Sequence, residues 1–287
     1  MNDLRCYKIM PVWNATTLPD AFQRRHNTQA GTWAQLCVTQ GWLDFELLDE
    51  QGGVMAQARY TPSNLPPRID PQQWHRIAGF SEDVQCQLSF LCTHEDYFAK
   101  KYSLTRTHSE VIEAAAIISP CRVLDLGCGN GRNTLYLAAR GFAVEAWDKD
   151  AERLINLQRI AQEEALNEVH TKAVDLNDVV IDGQYDFILS TVVLMFLQPE
   201  GASALIDRMQ AATAPDGYNL IVTAMQTPDC PSPVPFPCLF SPDELRARYA
   251  GWDLLKYNEL PGSLHRKDEH GNRIEMRFAT LLARKPM

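Results

Sequence analysis

Arg122-Val-Leu-Asp-Leu-Gly-Cys-Gly-Asn-Gly-Arg-Asn133 is the stretch on which the reading of this chain turns. Its first five residues make a short, buried strand, its glycines a turn, and a helix is expected from about residue 133 to Gly141. The same grammar repeats downstream. Strand Ala143-Val-Glu-Ala-Trp147 precedes a helix over about 150–165, then come strands over 169–174 and 185–190. A helix over about 200–214 leads to a fifth strand, 217–223. Strict strand–helix alternation predicts a parallel sheet with helices on both faces. Upstream, Thr107-His-Ser-Glu110 has the pattern of a capping box ahead of a helix over 111–118. Ser241-Pro-Asp-Glu244 reads as the cap of a further helix with proline in its first turn. Strands over 252–260 and 274–284 have no helix between them, so they are expected to pair as a hairpin.

Residues 1 to about 90 follow different rules. Trp33-Ala-Gln-Leu-Cys-Val-Thr39 and Trp42-Leu-Asp-Phe-Glu-Leu-Leu48 alternate around Gln40-Gly41, and Gly52-Gly53 turns the chain into a strand over 54–60. Thr61-Pro-Ser-Asn-Leu-Pro-Pro-Arg-Ile-Asp-Pro71 is too proline-rich for helix, and 84–91 alternates again. Short strands at close spacing predict a small antiparallel sandwich or barrel, similar to the cupin-like domain that precedes some methyltransferases. The closely spaced histidines of a cupin metal centre are missing, and His26 and His75 stand far apart in sequence, so no metal site is expected. The expected division is an all-β domain over 1–92 and an α/β domain over 93–287.

Composition supports that division and narrows the partners. A chain of 287 residues exceeds the roughly 150 residues of an average domain, and 45% hydrophobic with 22% charged residues is ordinary for a globular protein. The 27 basic residues against 36 acidic ones leave a net charge of −9, which disfavours nucleic acid as a partner. The start, Met1 to Cys6, shows no apolar stretch of signal-peptide length, and the longest apolar run, Tyr185 to Leu197, falls short of the ~20 residues of a membrane span. The eight cysteines include no Cys-x-x-Cys, so reduced thiols in a cytoplasmic protein are expected. Oligomeric state is not legible.

The glycine turn sits where open α/β sheets bind cofactors. Its spacing is Gly127-x-Gly129-x-Gly131, and Arg132 stands where a dinucleotide fingerprint would carry its third glycine. Asp125, just before the turn, would repel a pyrophosphate but attract an ammonium group. Asp148 closes the second strand, placed to accept ribose hydroxyls, and Asp175-Leu176 ends the third, where a carboxylate can accept from an adenine amino group. One acid at each of three strand ends resembles the class I S-adenosylmethionine-dependent methyltransferases, over roughly 95–287, with their seven-stranded sheet and terminal antiparallel hairpin. An NAD(P)-dependent oxidoreductase is disfavoured by Asp125 and the missing glycine.

The resemblance narrows further. Tyr97-Phe-Ala-Lys-Lys-Tyr102, Thr105-Arg-Thr-His-Ser109, Asp125 to Asn133, Trp147-Asp-Lys149, Tyr185 to Leu197, Gly217 to Val222, Leu264-His-Arg266 and Arg273-Ile274 resemble the tellurite-resistance methyltransferase family TehB. That family implies S-adenosyl-L-methionine as cofactor and a small anionic acceptor, tellurite or selenite, with detoxification as the outcome. Its hairpin connection implies His265, Arg266 and Arg273 as oxyanion clamps, with His265 also able to shuttle a proton. Lys101 and Arg106 are expected to cover the cofactor, Ser190 and Thr191 to face it, and Met195-Phe196 to wall the methyl pocket. The loop Thr227 to Cys238, stiffened by its prolines, is expected to overhang the acceptor. No Asn/Asp-Pro-Pro-Tyr or Pro-Cys motif follows the fourth strand, which argues against methylation of nucleic-acid bases. Two rivals stand beside this reading: a methyltransferase for a small organic thiol, selenol or amine, and a cofactor-binding regulatory module.

Overall fold

The computed structural model describes residues 4–287, Asp268 and the side chains of 265–267 excepted. It divides into two units, residues 1–106 and 107–287.

In the first unit the chain runs β1 (Arg5–Ile9), β2 (Trp13–Asn14), α1 (Asp20–Gln23), β3 (Trp33–Gln40) and β4 (Leu43–Leu48). It continues through β5 (Val54–Tyr60), β6 (His75–Phe80), β7 (Gln85–Cys92) and α2 (His94–Tyr102). Strand β7 pairs antiparallel with β1, β2 and β3, and a second antiparallel sheet has the order β5-β4-β6. Alternation decides which residues face inward: Ala34, Leu36 and Val38 of β3 meet Leu43, Phe45, Ile77 and Leu88 in one core. The expected all-β architecture is present, with β1, β2 and β6 added to the strands read from sequence. Helix α2 packs against β1 and β7 of this unit.

The second unit begins with α3 (Ser109–Ile117), β8 (Arg122–Leu126), α4 (Arg132–Ala138), β9 (Ala143–Asp148), α5 (Ala151–Glu163) and β10 (Val169–Ala173). Then follow β11 (Tyr185–Thr191), a 3-10 turn at Leu194–Phe196, α6 (Pro199–Ala212), β12 (Thr213–Ala224) and α7 (Glu244–Arg248). The hairpin β13 (Asp253–Lys267) and β14 (Arg273–Arg284) completes a seven-stranded sheet of order β10-β9-β8-β11-β12-β14-β13. Strands β8 to β12 are parallel, and β14 is antiparallel to both β12 and β13. The β13–β14 connection therefore lies at the carboxyl edge of the parallel strands, the same edge as the glycine turn.

Apolar layers cover both faces of the sheet. Val111, Ala114, Tyr136, Phe187 and Leu220 pack on one side, and Leu124, Leu205, Ile221 and Tyr249 on the other. The second layer holds a buried polar chain. Tyr249 donates its hydroxyl to Asn219 Oδ1 at 2.8 Å, Asn219 Nδ2 donates to Thr213 Oγ1 at 2.7 Å, and Thr213 donates to the Met209 carbonyl at 2.6 Å. Tyr249→Phe leaves Asn219 Oδ1 unsatisfied, so we expect a loss of about 1–3 kcal/mol in a denaturant melt.

Three local expectations are corrected. Helix α3 is capped not by Thr107 but by His108, whose Nδ1 accepts from the Glu110 amide at 3.3 Å; Thr107 donates to the Arg132 carbonyl instead. Helix α7 starts after Pro242, because Asp243 takes a left-handed conformation (φ 58°); Glu244 still reaches back to the Ser241 amide at 3.0 Å. Strand β13 runs past Leu260 to Lys267, pairing with β14 through a register shift between Ser263 and Lys267.

Candidate functional site

Three glycines shape the turn after β8, all at positive φ: 75° at Gly127, 56° at Gly129 and 83° at Gly131. A Cβ at Gly127 would lie 2.4 Å from Val193 Cγ2, on a β-branched side chain that has little freedom to move. Gly127→Ala is therefore expected to cost about 2–4 kcal/mol and to lower the melting temperature as well as activity. At the far end of α4, Gly141 (φ 91°) ends the helix as expected, with its amide on the Ala138 carbonyl.

Around the turn the acids read from sequence take different positions. Asp125 is 1% exposed at the end of β8 and accepts from the Thr134 hydroxyl at 2.6 Å. Burial pushes its pKa up to about 6, against the lowering effect of the Thr134 hydrogen bond and the Arg132 guanidinium. Asp148, half-buried at the end of β9, accepts from the Gly129 amide at 2.8 Å and the Asp150 amide at 2.9 Å. It thus holds the glycine turn in shape while keeping further lone pairs for a ligand. Asp175 is exposed just past β10, and hydrogen bonds from the backbone and side chain of Asn177 hold its pKa low. Leu176 is buried in the core, which leaves its backbone for any contact with a cofactor.

At the end of β11, Ser190 is fully buried and its Oγ has no hydrogen-bond partner among the described residues, while Thr191 accepts from Asn133 Nδ2 at 2.9 Å. Asn133 also accepts from the His108 amide at 3.1 Å, tying α3, α4 and β11 together. A buried carboxylate, an orphaned hydroxyl and an open glycine turn fit a cofactor that brings an ammonium group and several hydrogen-bonding groups.

Beside this turn lies a cavity of about 720 Å³. Met195 and Phe196 line it together with Val234 and Phe236 of the proline-rich loop, with Phe236 edge-on to Phe196 at 5.2 Å. Cys238 of that loop is buried in the core, and Cys230 does not line the cavity. From the hairpin, Leu260 to Leu264 contribute the strand segment immediately before His265. The side chains of His265 and Arg266 lie outside the described residues. Arg273 is exposed and lines a separate hollow with Glu269 and Glu275, so the structure does not bring it into this cavity.

Two cations do line the cavity. Lys256 is neutralised by Glu110 and Glu113 of α3, each at 2.6 Å. Arg132 is half-buried and has no ion-pair partner among the described residues. Burial lowers its pKa and the nearby Asp125 raises it, and a guanidinium stays charged under both. Sequence reasoning noted Arg132 as a missing glycine and did not see it as a cation lining the cavity. It also missed Asn133 and the capping role of His108.

Lys101 and Arg106 belong to the first unit. Lys101 donates to the Tyr97 hydroxyl at 2.8 Å, and Arg106 pairs with the buried Asp96 at 2.6 Å. Among the described residues no group of three or more His, Cys, Asp or Glu could hold a metal, and no helix is long and apolar enough to cross a membrane.

Residues 90–282 match the family described as tellurite resistance protein TehB, and 8–88 match the TehB-like domain. A probable S-adenosyl-L-methionine-dependent methyltransferase TehB of Haemophilus influenzae is 49% identical over 284 residues, 99% of each chain. A protein named hemagglutinin 1 from Eikenella corrodens is 42% identical over 239 residues, 83% of this chain and 79% of that protein. The crystal structure of TehB from Haemophilus influenzae superposes with a TM-score of 0.96 at 49% identity, covering 99% of both chains. With its class I methyltransferase sheet and TehB-like N-terminal domain, the chain belongs to the TehB family.

Proposed function

We propose that the protein is an S-adenosyl-L-methionine-dependent methyltransferase that methylates chalcogen oxyanions of the tellurite and selenite type, and so detoxifies them. The observation that carries this reading is the half-buried Arg132 in the cavity beside the glycine turn, without an ion-pair partner among the described residues. Transfer is assigned to residues 93–287, and the site of action to the cytoplasm, where the eight free cysteines stay reduced. No nucleic acid and no resident metal enter the reaction.

When bound, S-adenosylmethionine supplies a methyl group on a sulfonium sulfur, which departs as a thioether when an acceptor lone pair displaces it in line. Asp125 takes the ammonium end of the cofactor, and Gly127 and Gly129 let the backbone approach it. Asp148 accepts its ribose hydroxyls, Asp175 and Leu176 receive the adenine, and Ser190 and Thr191 meet it at the end of β11. The apolar walls, Met195, Phe196, Val234 and Phe236, exclude water, so that the charge on Arg132 acts at low dielectric. Arg132 holds the anionic acceptor and offsets its charge in the transition state. His265 and Arg266 of the hairpin complete the clamp, with His265 taking the proton of a protonated oxyanion, while Arg273 stands outside the cavity.

A second reading is supported by the cavity itself: at about 720 Å³ and largely apolar, it has room for an organic thiolate or selenolate. Headspace analysis separates the two. Purified protein given cofactor, a thiol reductant, and tellurite or selenite is expected to release the dimethyl chalcogenide. Arg266→Ala is expected to lose most of it while binding the cofactor normally. Methyl transfer to organic selenols alone would favour the second reading.

A further inference from the structure

The first unit encloses a cavity of about 580 Å³ of its own. Two lysines, Lys8 and Lys100, line it, and no Asp or Glu does. Lys100 Nζ donates to Thr32 Oγ1 at 2.7 Å, which uses one of its three N–H groups. The acid nearest in sequence, Asp96, is engaged by Arg106.

Two histidines share the wall. His26 and His75 are 49 positions apart in sequence, yet they face each other across an isolated antiparallel bridge. The amide of each donates to the carbonyl of the other, at 3.1 and 2.9 Å, and the rings sit 4.2 Å apart. Their Nδ1 atoms lie 2.9 Å from the Arg24 carbonyl and 2.8 Å from the Gln73 carbonyl. A carbonyl oxygen only accepts, so each Nδ1 carries a proton, and in the neutral ring Nε2 presents a lone pair. Burial keeps both rings neutral, lowering the pKa of His26 and bringing that of His75 to about 4. The Nε2 of His26 is buried without a partner, and no hydrogen bond forms at the Nε2 of His75 among the described residues.

Acceptor nitrogens and ammonium groups lining one cavity, with no carboxylate in its lining, make an unusual pair of demands. A plain anion satisfies the lysines and leaves the imidazole lone pairs unmet. A metal ion satisfies the imidazoles and is repelled by the lysines. An anion with its own hydroxyl meets both demands, and Phe22, Leu88 and Phe90 give it apolar walls. We propose that this cavity binds a small organic hydroxy acid, its carboxylate on Lys100 and its hydroxyl donated to the His26–His75 pair. Lys8 adds a second positive charge at the wall.

The test is calorimetric titration of the full chain with glycolate and mandelate, each beside its counterpart without the hydroxyl, acetate and phenylacetate. The hydroxy acid is expected to bind at least about tenfold tighter than its counterpart, the worth of one hydrogen bond to an otherwise unsatisfied partner. His26→Leu removes that preference, and Lys100→Met weakens both ligands about tenfold. Should His26→Leu not fold, Lys100→Met and the ligand pairs still decide. Arg132→Met, altered in the other unit, keeps the binding, which separates this site from the methyl-transfer cavity. The proposal is overturned if neither hydroxy acid saturates at millimolar concentration, or if the hydroxyl makes no difference. It is also overturned if Lys100→Met binds like wild type, or if zinc saturates the site and the acids do not.

Discussion

Asp125→Asn lowers affinity for S-adenosylmethionine by about 100-fold or more, on the order of 3 kcal/mol, as expected when a buried charge loses its ionic partner. The same substitution leaves the free protein at least as stable as before. Asp125 is fully buried and held at a pKa of about 6, above its ordinary value near 4. In the free protein, folding thus favours the protonated carboxyl. That contribution is complete below the unfolded pKa and is lost as pH rises through about 6, at a cost of roughly 2–3 kcal/mol at neutral pH. Asn keeps an acceptor for Thr134 and removes this cost. Cofactor affinity has the opposite pH dependence, because only the ionised carboxylate attracts the ammonium group. Affinity should rise between about pH 5 and pH 7 in the wild type and stay flat in Asp125→Asn. Calorimetric titration across that range, with thermal melts of the free proteins, reads both effects.

Arg132→Met is the second large effect. Loss of the cation facing the acceptor should lower kcat/KM for an oxyanion by about 100- to 1000-fold, the scale of removing one preorganised charge donor. Arg132→Lys should recover part of the loss, since it keeps the charge without the planar fork. A positioning effect on Asp125 should accompany the substitution. Arg132 lowers the Asp125 pKa, so its removal moves the midpoint of cofactor binding to higher pH. At alkaline pH cofactor affinity should stay within a few-fold of wild type, which assigns the remaining loss to the acceptor. Equal activity of Arg132→Met and wild type on selenite would remove Arg132 from the reaction.

What the sequence made legible follows from how far each signal reaches along the chain. Strands β8, β9, β11 and β12 could be read because each carries apolar residues next to a helix or a glycine turn, β10 from its place after a helix, and the two strands without a helix between them had to pair. Strand β1 escaped notice because it is partly exposed and has no clean alternation, and β6 because it opens on His75 and Arg76. The helix caps were misread where a side chain did an unexpected job, as His108 does at α3.

Site residues divide the same way. Asp125, Gly127, Gly129 and Asp148 lie in or beside the turn, where local pattern fixes their place. Which of the two cavity cations is neutralised depends on Lys256 meeting Glu110 and Glu113, partners separated from it by well over a hundred positions. The His26–His75 pair is hidden for a related reason, since the bridge between them forms only when α1 and β6 come together. Arg273 shows the opposite case: a residue singled out by resemblance that stands outside the cavity, at the exposed start of β14.

The most direct measurement follows the methyl group itself. Purified protein is given S-adenosylmethionine with a deuterated methyl group, a thiol reductant, and selenite or tellurite, and the headspace is analysed by mass. The expected result is dimethyl selenide or telluride carrying the label, formed in step with cofactor consumption and lost in Arg132→Met. Cofactor bound at the glycine turn, with no label passing to either chalcogen, would contradict the assignment of the acceptor.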